Sequence, residues 1–247
     1  MVDRDRSASA PTYELPDADE RQSWLSRLYR LAEYHRAAGR KVVVVQGLGA
    51  VGLAWCAAAV LAPREDATPP YFVVGLDLPR FVSYQNVARL NEGTLPLRDP
   101  AIADALRSAA RDTSLVATLE DAALALADYV AVAVADDPSG SPLDAPAAAW
   151  HPRVEGLGPA LRAIGRWQAP GALVVVASVI SPERGAQAAR ALEEEYRQRG
   201  LDGRPRLAWL VGGGETGPGI AGVDGKAVSA ARAFLGTLSP LLRTEAR

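Results

Sequence analysis

Apolar and polar residues alternate along this chain in two rhythms, and the rhythms divide it into elements. Residues 1–18 are polar and broken by Pro, Ser and Asp, which predicts a loosely attached or disordered N-terminus. Trp24, Leu25, Leu28, Leu31 and Ala32 then recur at helical spacing, and Gly39 supplies a stop, so 19–39 reads as a helix. KVVVVQ (41–46) is a continuous β-branched run of the kind that forms a parallel strand covered on both faces. The turn GLGAVG and an alanine-rich helix to residue 62 follow it, and YFVVGLDLP (71–79) is a second strand run closed by an acid. Helices are predicted over 81–91, 100–110, 119–127, 157–167, 182–199 and 224–238. Further strands are predicted over 115–118, 129–135, 171–178 and 206–213. Strands that alternate with helices of this length imply βαβ units and a parallel sheet.

The turn between the first strand and its helix is where chemistry enters. Gly47-Leu48-Gly49-Ala50-Val51-Gly52 is a G-x-G-x-x-G between a β-branched strand and a helix. Gly47 permits the tight turn, Gly49 leaves room for a pyrophosphate against the backbone, and Gly52 lets the helix approach the sheet. A pyrophosphate would then meet free N–H groups and the positive end of the helix dipole. Asp77 closes the second strand about 25 residues after Gly52, near the ~20 at which an acid grips the adenosine ribose. That carboxylate would repel a 2′-phosphate and so favours NAD over NADP, a preference that Arg80 could blunt. The fold class that follows is α/β, a Rossmann-type doubly wound parallel sheet. It is expected as a single domain over 41–247, with the helical segment 19–40 added in front.

Composition narrows the partners. The net charge is −2 and 23% of residues are charged, which gives no electrostatic reason to expect nucleic acid or an anionic membrane. The one cysteine, Cys56, excludes an internal disulfide and a cysteine metal cluster. Two histidines, His35 and His151, lie too far apart in sequence to suggest zinc, so no metal is expected. The N-terminus lacks an apolar signal core, and the apolar stretch 50–62 is too short to span a bilayer, so the expected location is cytoplasmic.

The motifs together resemble the NAD-binding domain of the UDP-glucose/GDP-mannose (nucleotide-sugar) dehydrogenase family. GLGAVG stands where the family has a GLGYVG-like turn, and GLD (75–77) where its second strand ends in G-x-D. Asn91-Glu92-Gly93-Thr94-Leu95-Pro96, then Asp99-Pro100, matches its N-x-G-x-x-P loop, the most specific element of the likeness. Ala117-Thr118-Leu119-Glu120-Asp121, Ala127-Asp128-Tyr129-Val130, Pro170-Gly171-Ala172-Leu173-Val174-Val175 and Gly222-Val223-Asp224 match later segments. The resemblance covers about residues 41–238. It implies NAD as cofactor, contacts from the glycine turn, Asp77, Arg80, Ala135 and Ser178, and a nucleotide-sugar or other small-molecule substrate.

Departures from the family bear on turnover. Its V-P-T-P segment is Val134-Ala135-Asp136-Asp137-Pro138 here, and its E-S-T is Ala177-Ser178-Val179. Its catalytic lysine, asparagine and cysteine and its sugar-binding domain have no counterpart in these 247 residues. The family oxidises a sugar C6 alcohol through a cysteine adduct, but Cys56 falls one turn into the first helix and reads as a buried small hydrophobe. Lys226 reads as a solvated side chain, His151 as a loop residue, and Asp136 and Asp137 as turn formers at a strand's C-terminal end. No tyrosine has a lysine four residues on, as short-chain dehydrogenases require, and no G-x-S-x-G or P-loop occurs. Two readings stay open. One is an NAD-dependent oxidoreductase that a second polypeptide completes, or that acts on a small substrate of its own. The other is a dinucleotide- or partner-binding module without turnover. A domain cut from a larger enzyme leaves apolar surface behind, so self-association or a protein partner is expected.

Overall fold

The computed structural model describes residues 16–63, 70–78, 81–134, 156–212 and 219–238. Runs rich in β-branched residues form its centre: β1 (Lys41–Gln46), β2 (Tyr71–Leu76), β4 (Tyr129–Val132) and β5 (Leu173–Val179). With β3 (Leu115–Thr118), β6 (Arg206–Val211) and β7 (Gly219–Gly222) they make a seven-stranded sheet in the order β3-β2-β1-β4-β5-β6-β7. The first six strands run parallel, in the 3-2-1-4-5-6 order of doubly wound dinucleotide folds. The seventh departs from the expected all-parallel sheet, because β7 pairs antiparallel with β6.

Alternate side chains of each strand enter two cores. Val43 and Val45 pack beneath α2 (Ala50–Val60), α4 (Pro100–Arg111) and α7 (Gly225–Thr237). Val42 and Val44 pack beneath α1 (Ala18–Ala37), α5 (Leu157–Trp167) and α6 (Pro182–Gln198). The segment 119–127, expected as an α-helix, is a shorter 3-10 turn over Asp121–Leu126. That short link leaves sheet face uncovered, and α1 occupies it: Leu28 and Ala32 join Phe72, Val74 and Val116 in one cluster.

The helix expected from residue 19 begins one residue earlier. Asp17 caps it, so residues 17 and 18, expected within the loosely attached N-terminus, belong to the helix and its cap; residues 1–15 lie outside the described residues. The Asp17 and Glu20 side chains each accept the other residue's backbone N–H, at 2.9 and 3.0 Å. At its other end the His35 ring stacks on Phe72, 4.4 Å between centroids, and its Nε2–H donates to the Thr113 carbonyl at 2.9 Å.

Burial lowers the His35 pKa below the usual imidazole value. The folded protein therefore resists protonation at pH values where the unfolded chain accepts a proton. Stability is full above the unfolded pKa, near 6.5, and is lost as pH falls toward the folded pKa. Urea titrations at about pH 7 and about pH 5.5 should show a smaller loss for His35→Gln than for the native chain. Equal losses would remove His35 as the cause.

A tight seam joins α5 and α6. Glu195 is 2% exposed and lies 3.4 Å from Arg162 Nη1 and 3.3 Å from Arg166 Nε. Gly165 makes the approach feasible, since a Cβ there would stand 2.4 Å from the Glu195 Cβ.

On the outer border of the sheet, α3 (Phe81–Glu92) presents Asn91 to β3. Its Nδ2 donates to the Ala117 carbonyl at 2.9 Å, and its Oδ1 accepts the Ala117 N–H at 2.7 Å. The asparagine of the N-E-G-x-x-P loop thus pairs with strand backbone. Farther along the same segment, Asp99 caps α4 by accepting from Ala101 and Ile102.

Candidate functional site: a glycine turn at the carboxyl end of β1

β1 has β2 on one side and β4 on the other, and the chain crosses to opposite faces from there. Such a switch point opens a crevice beyond the strands' carboxyl ends. Gly47 turns the chain out of β1 with φ +95°, and its N–H donates to the Leu76 carbonyl at 2.7 Å. A Cβ on Gly47 would lie 2.7 Å from the Ala133 carbonyl oxygen. A Cβ on Gly52 would lie 1.7 Å from the Gly47 carbonyl oxygen, so the first turn of α2 rests directly on the loop.

Gly49 differs from both. A Cβ there would meet nothing within 4 Å. Gly49 is also the N-cap of α2 and offers no side-chain cap to the helix's first N–H groups. Open space in front of an uncapped helix end is what an anion requires. Between these glycines Leu48 points inward, only 6% exposed, over Gly75 of β2, where a Cβ would stand 2.9 Å from Leu48 Cδ2. Ala50 and Val51 face outward, and Val51 is 48% exposed.

Asp77 follows β2 directly, beside the glycine turn. Its N–H donates to Thr118 at 3.2 Å, and its Oδ1 accepts the Leu78 N–H at 2.8 Å. Ser178 lies near the end of β5, and its Oγ donates to the Val134 carbonyl at 3.1 Å, tying β5 to the segment that leaves β4. The glycine turn, Asp77 and Ser178 therefore share the carboxyl edge of the sheet. Arg80, Ala135, Asp136, Asp137 and His151 lie outside the described residues.

Gln46, which closes β1, was not among the expected site residues. It is 5% exposed, and its Oε1 is buried without a hydrogen-bond partner. The signal was a polar residue ending an otherwise aliphatic run, immediately before Gly47.

Two reactive side chains are far from a reactive setting. Cys56 is fully buried in α2, and burial pushes its thiol up to about 12, so it stays protonated and unreactive. Lys226 is exposed at the start of α7, three residues after Val223, whose N–H bonds to Leu207 near the start of β6. It belongs to the pole of the sheet opposite the glycine turn. Among the described residues, no group of three or more His, Cys, Asp or Glu could hold a metal ion. No described helix is long and apolar enough to cross a membrane.

No family model matches the chain, and no curated protein matches it. Solved structures do. The NDP-N-acetyl-D-galactosaminuronic acid dehydrogenase of Methanosarcina mazei Go1 is 21% identical with TM-score 0.62, over 85% of this chain and 44% of that one. The UDP-glucose dehydrogenase of Pyrobaculum islandicum is 23% identical with TM-score 0.59, over 81% and 45%. The GDP-mannose dehydrogenase of Pseudomonas aeruginosa is 15% identical with TM-score 0.58, over 80% and 44%. Across at least 80% of its length the chain has the Rossmann fold that these nucleotide-sugar dehydrogenases share, and it spans less than half of theirs.

Proposed function

We propose that the chain binds NAD and forms the cofactor-holding part of an oxidoreductase of nucleotide-sugar dehydrogenase ancestry. The observation that carries this reading is the open space at Gly49 before the uncapped end of α2, framed by two glycines whose replacement would strike backbone. Gly47 to Gly52 would hold the pyrophosphate, with the α2 N–H groups facing its charge. Asp77 would accept hydrogen bonds from the adenosine ribose and disfavour a 2′-phosphate, with Arg80 three residues on. Ala135 and Ser178 would border the nicotinamide half, beyond β4 and β5. NAD, when bound, would accept a hydride from an alcohol substrate.

A protein partner, either another polypeptide that brings catalytic groups to the nicotinamide or a second copy of this chain packed on the same face, fits the apolar surface near the site. Val51 and Val179 support this: they are 48% and 57% exposed, at the glycine turn and at the end of β5. Both would rim the crevice that a partner domain closes. Sedimentation showing a monomer at high concentration, with no partner captured, would count against this part of the reading.

A module that binds the dinucleotide without turnover is the second reading. The burial of Cys56 and the remote position of Lys226 favour it. One calorimetric and optical series separates the two. NAD should bind more tightly than NADP, and Asp77→Ala should narrow the difference. NADH formation from UDP- or GDP-sugars then supports the enzyme; NAD binding with no NADH supports the module. Failure to bind either coenzyme would overturn both.

A further inference from the structure

The parallel register sets the amino ends of four strands side by side. Val43 of β1 pairs with Tyr129 of β4, Tyr129 with Leu173 of β5, and Leu173 with Arg206 of β6. A pocket of about 390 Å³ opens at these ends, between the last turn of α1 and α7, at the pole of the sheet opposite the glycine turn. Neither the glycine turn nor Asp77 lines it. Its volume falls within the usual range for small-molecule sites.

The charge of the lining is one-sided. Arg36, Lys41 and Arg206 line the pocket together with a single carboxylate, Asp128. That carboxylate is already engaged: its Oδ2 accepts the Val42 N–H at 2.8 Å and lies 3.9 Å from Arg36 Nη2. Backbone holds two of the cations in place. Arg36 Nη2 donates to the Leu126 carbonyl at 2.5 Å, and Arg206 Nη1 to the Gly171 carbonyl at 2.9 Å. The turn that Arg206 grips is itself closed, with Gly171 at φ +91° and the Ala172 N–H on the Ala169 carbonyl at 3.3 Å. Neither Lys41 nor Arg206 has a carboxylate partner among the described residues. Like charges gathered around one cavity repel, and an anion placed among them reverses the sign of that energy. The guanidinium N–H groups still free and the Lys41 ammonium are donors only, which the oxygens of a phosphate match.

We propose that this pocket at the amino ends of β1, β4, β5 and β6 binds a phosphate dianion, free or carried by a small organic molecule. The site is independent of the coenzyme reading and stands if that reading fails.

Amide NMR on the full chain tests it, with inorganic phosphate, glycerol 3-phosphate and glycerol as probes at constant ionic strength. Both phosphates should shift the amides of Lys41, Gly171 and Ala172 saturably, and glycerol should not. Tighter binding of glycerol 3-phosphate assigns the site to a phosphate monoester, and equal binding assigns it to free phosphate. Lys41→Gln should weaken phosphate binding about tenfold, and because it strips no described partner of an ion pair it should fold as the native chain does. Arg206→Gln should weaken binding as much and supplies an independent answer. Gly49→Val, which fills the glycine turn, should leave the shifts unchanged, and so separates this site from the end of α2. Lys41→Gln should titrate NAD as the native chain does. No saturable shifts at these amides, equal shifts with glycerol, native phosphate affinity in both charge variants, or loss of the shifts in Gly49→Val would overturn the proposal.

Discussion

Gly52→Ala should destabilise the protein by about 3 kcal/mol or more and abolish NAD binding, while Gly49→Val should weaken NAD binding about a hundredfold at little cost in stability. Both glycines belong to one motif, but the surrounding atoms give them different tasks. The alanine methyl at 52 would stand 1.7 Å from the Gly47 carbonyl oxygen, far inside any contact distance. That neighbour is backbone, so no rotamer relieves the clash, and α2 must lift away from the sheet. Because Gly52 to Ala59 are all buried, lifting opens the core over β1 and β2. At 49, by contrast, backbone angles of −73° and −173° suit any residue, and the new side chain enters open space. A valine there should change stability by no more than about 1 kcal/mol. It would nevertheless fill the volume assigned to the pyrophosphate and lower NAD affinity about a hundredfold, roughly 3 kcal/mol. Urea unfolding and NAD calorimetry on the two variants make the comparison. A Gly49→Val protein that binds NAD as the native chain does would remove the pyrophosphate from this loop. A Gly52→Ala protein of native stability would contradict the contact itself.

Glu195→Ala should cost about 3–5 kcal/mol, the range for removing one partner of a buried ion pair. The carboxylate bridges two arginines, and their surroundings differ. The Arg166 side chain is 58% exposed and can turn to water, whereas that of Arg162 is 11% exposed. The loss therefore comes mainly from Arg162, which gives up its Glu195 contact in the buried seam between α5 and α6. The double variant Glu195→Leu with Arg162→Met, which removes both buried charges, should regain most of the stability. Denaturant titration checks both. If the single variant loses less than about 1 kcal/mol, solvent reaches this seam more freely than its burial indicates.

Most of the elements were legible because the relevant signals are local. KVVVVQ needs no partner to read as a covered strand, and its boundaries are those of β1. The glycine spacing followed by Asp77 encodes a turn and an acid whose relation is set by one βαβ unit. What escaped depended on distant neighbours. GIAG (219–222) is short, glycine-rich and half-buried, and becomes a strand only because β6 offers it an edge. The alanine-rich 119–127 has helical composition, but it links two strands beneath a face that α1 covers, and only a 3-10 turn forms. Gln46 and the Asn91 pairing with Ala117 both depend on where other segments come to rest. No spacing in the sequence announces that.

The Asn91 amide has a consequence for how copies of the chain can assemble. Open-ended filaments built by continuing a sheet require two receptive borders on each molecule, one to accept and one to offer. At Ala117 the backbone valences that a visiting strand would need are already taken by Asn91. Among the described residues, that leaves the four-residue β7 as the receptive side, and two molecules meeting there would finish each other. Sheet-to-sheet growth of this protein should therefore stop at a pair.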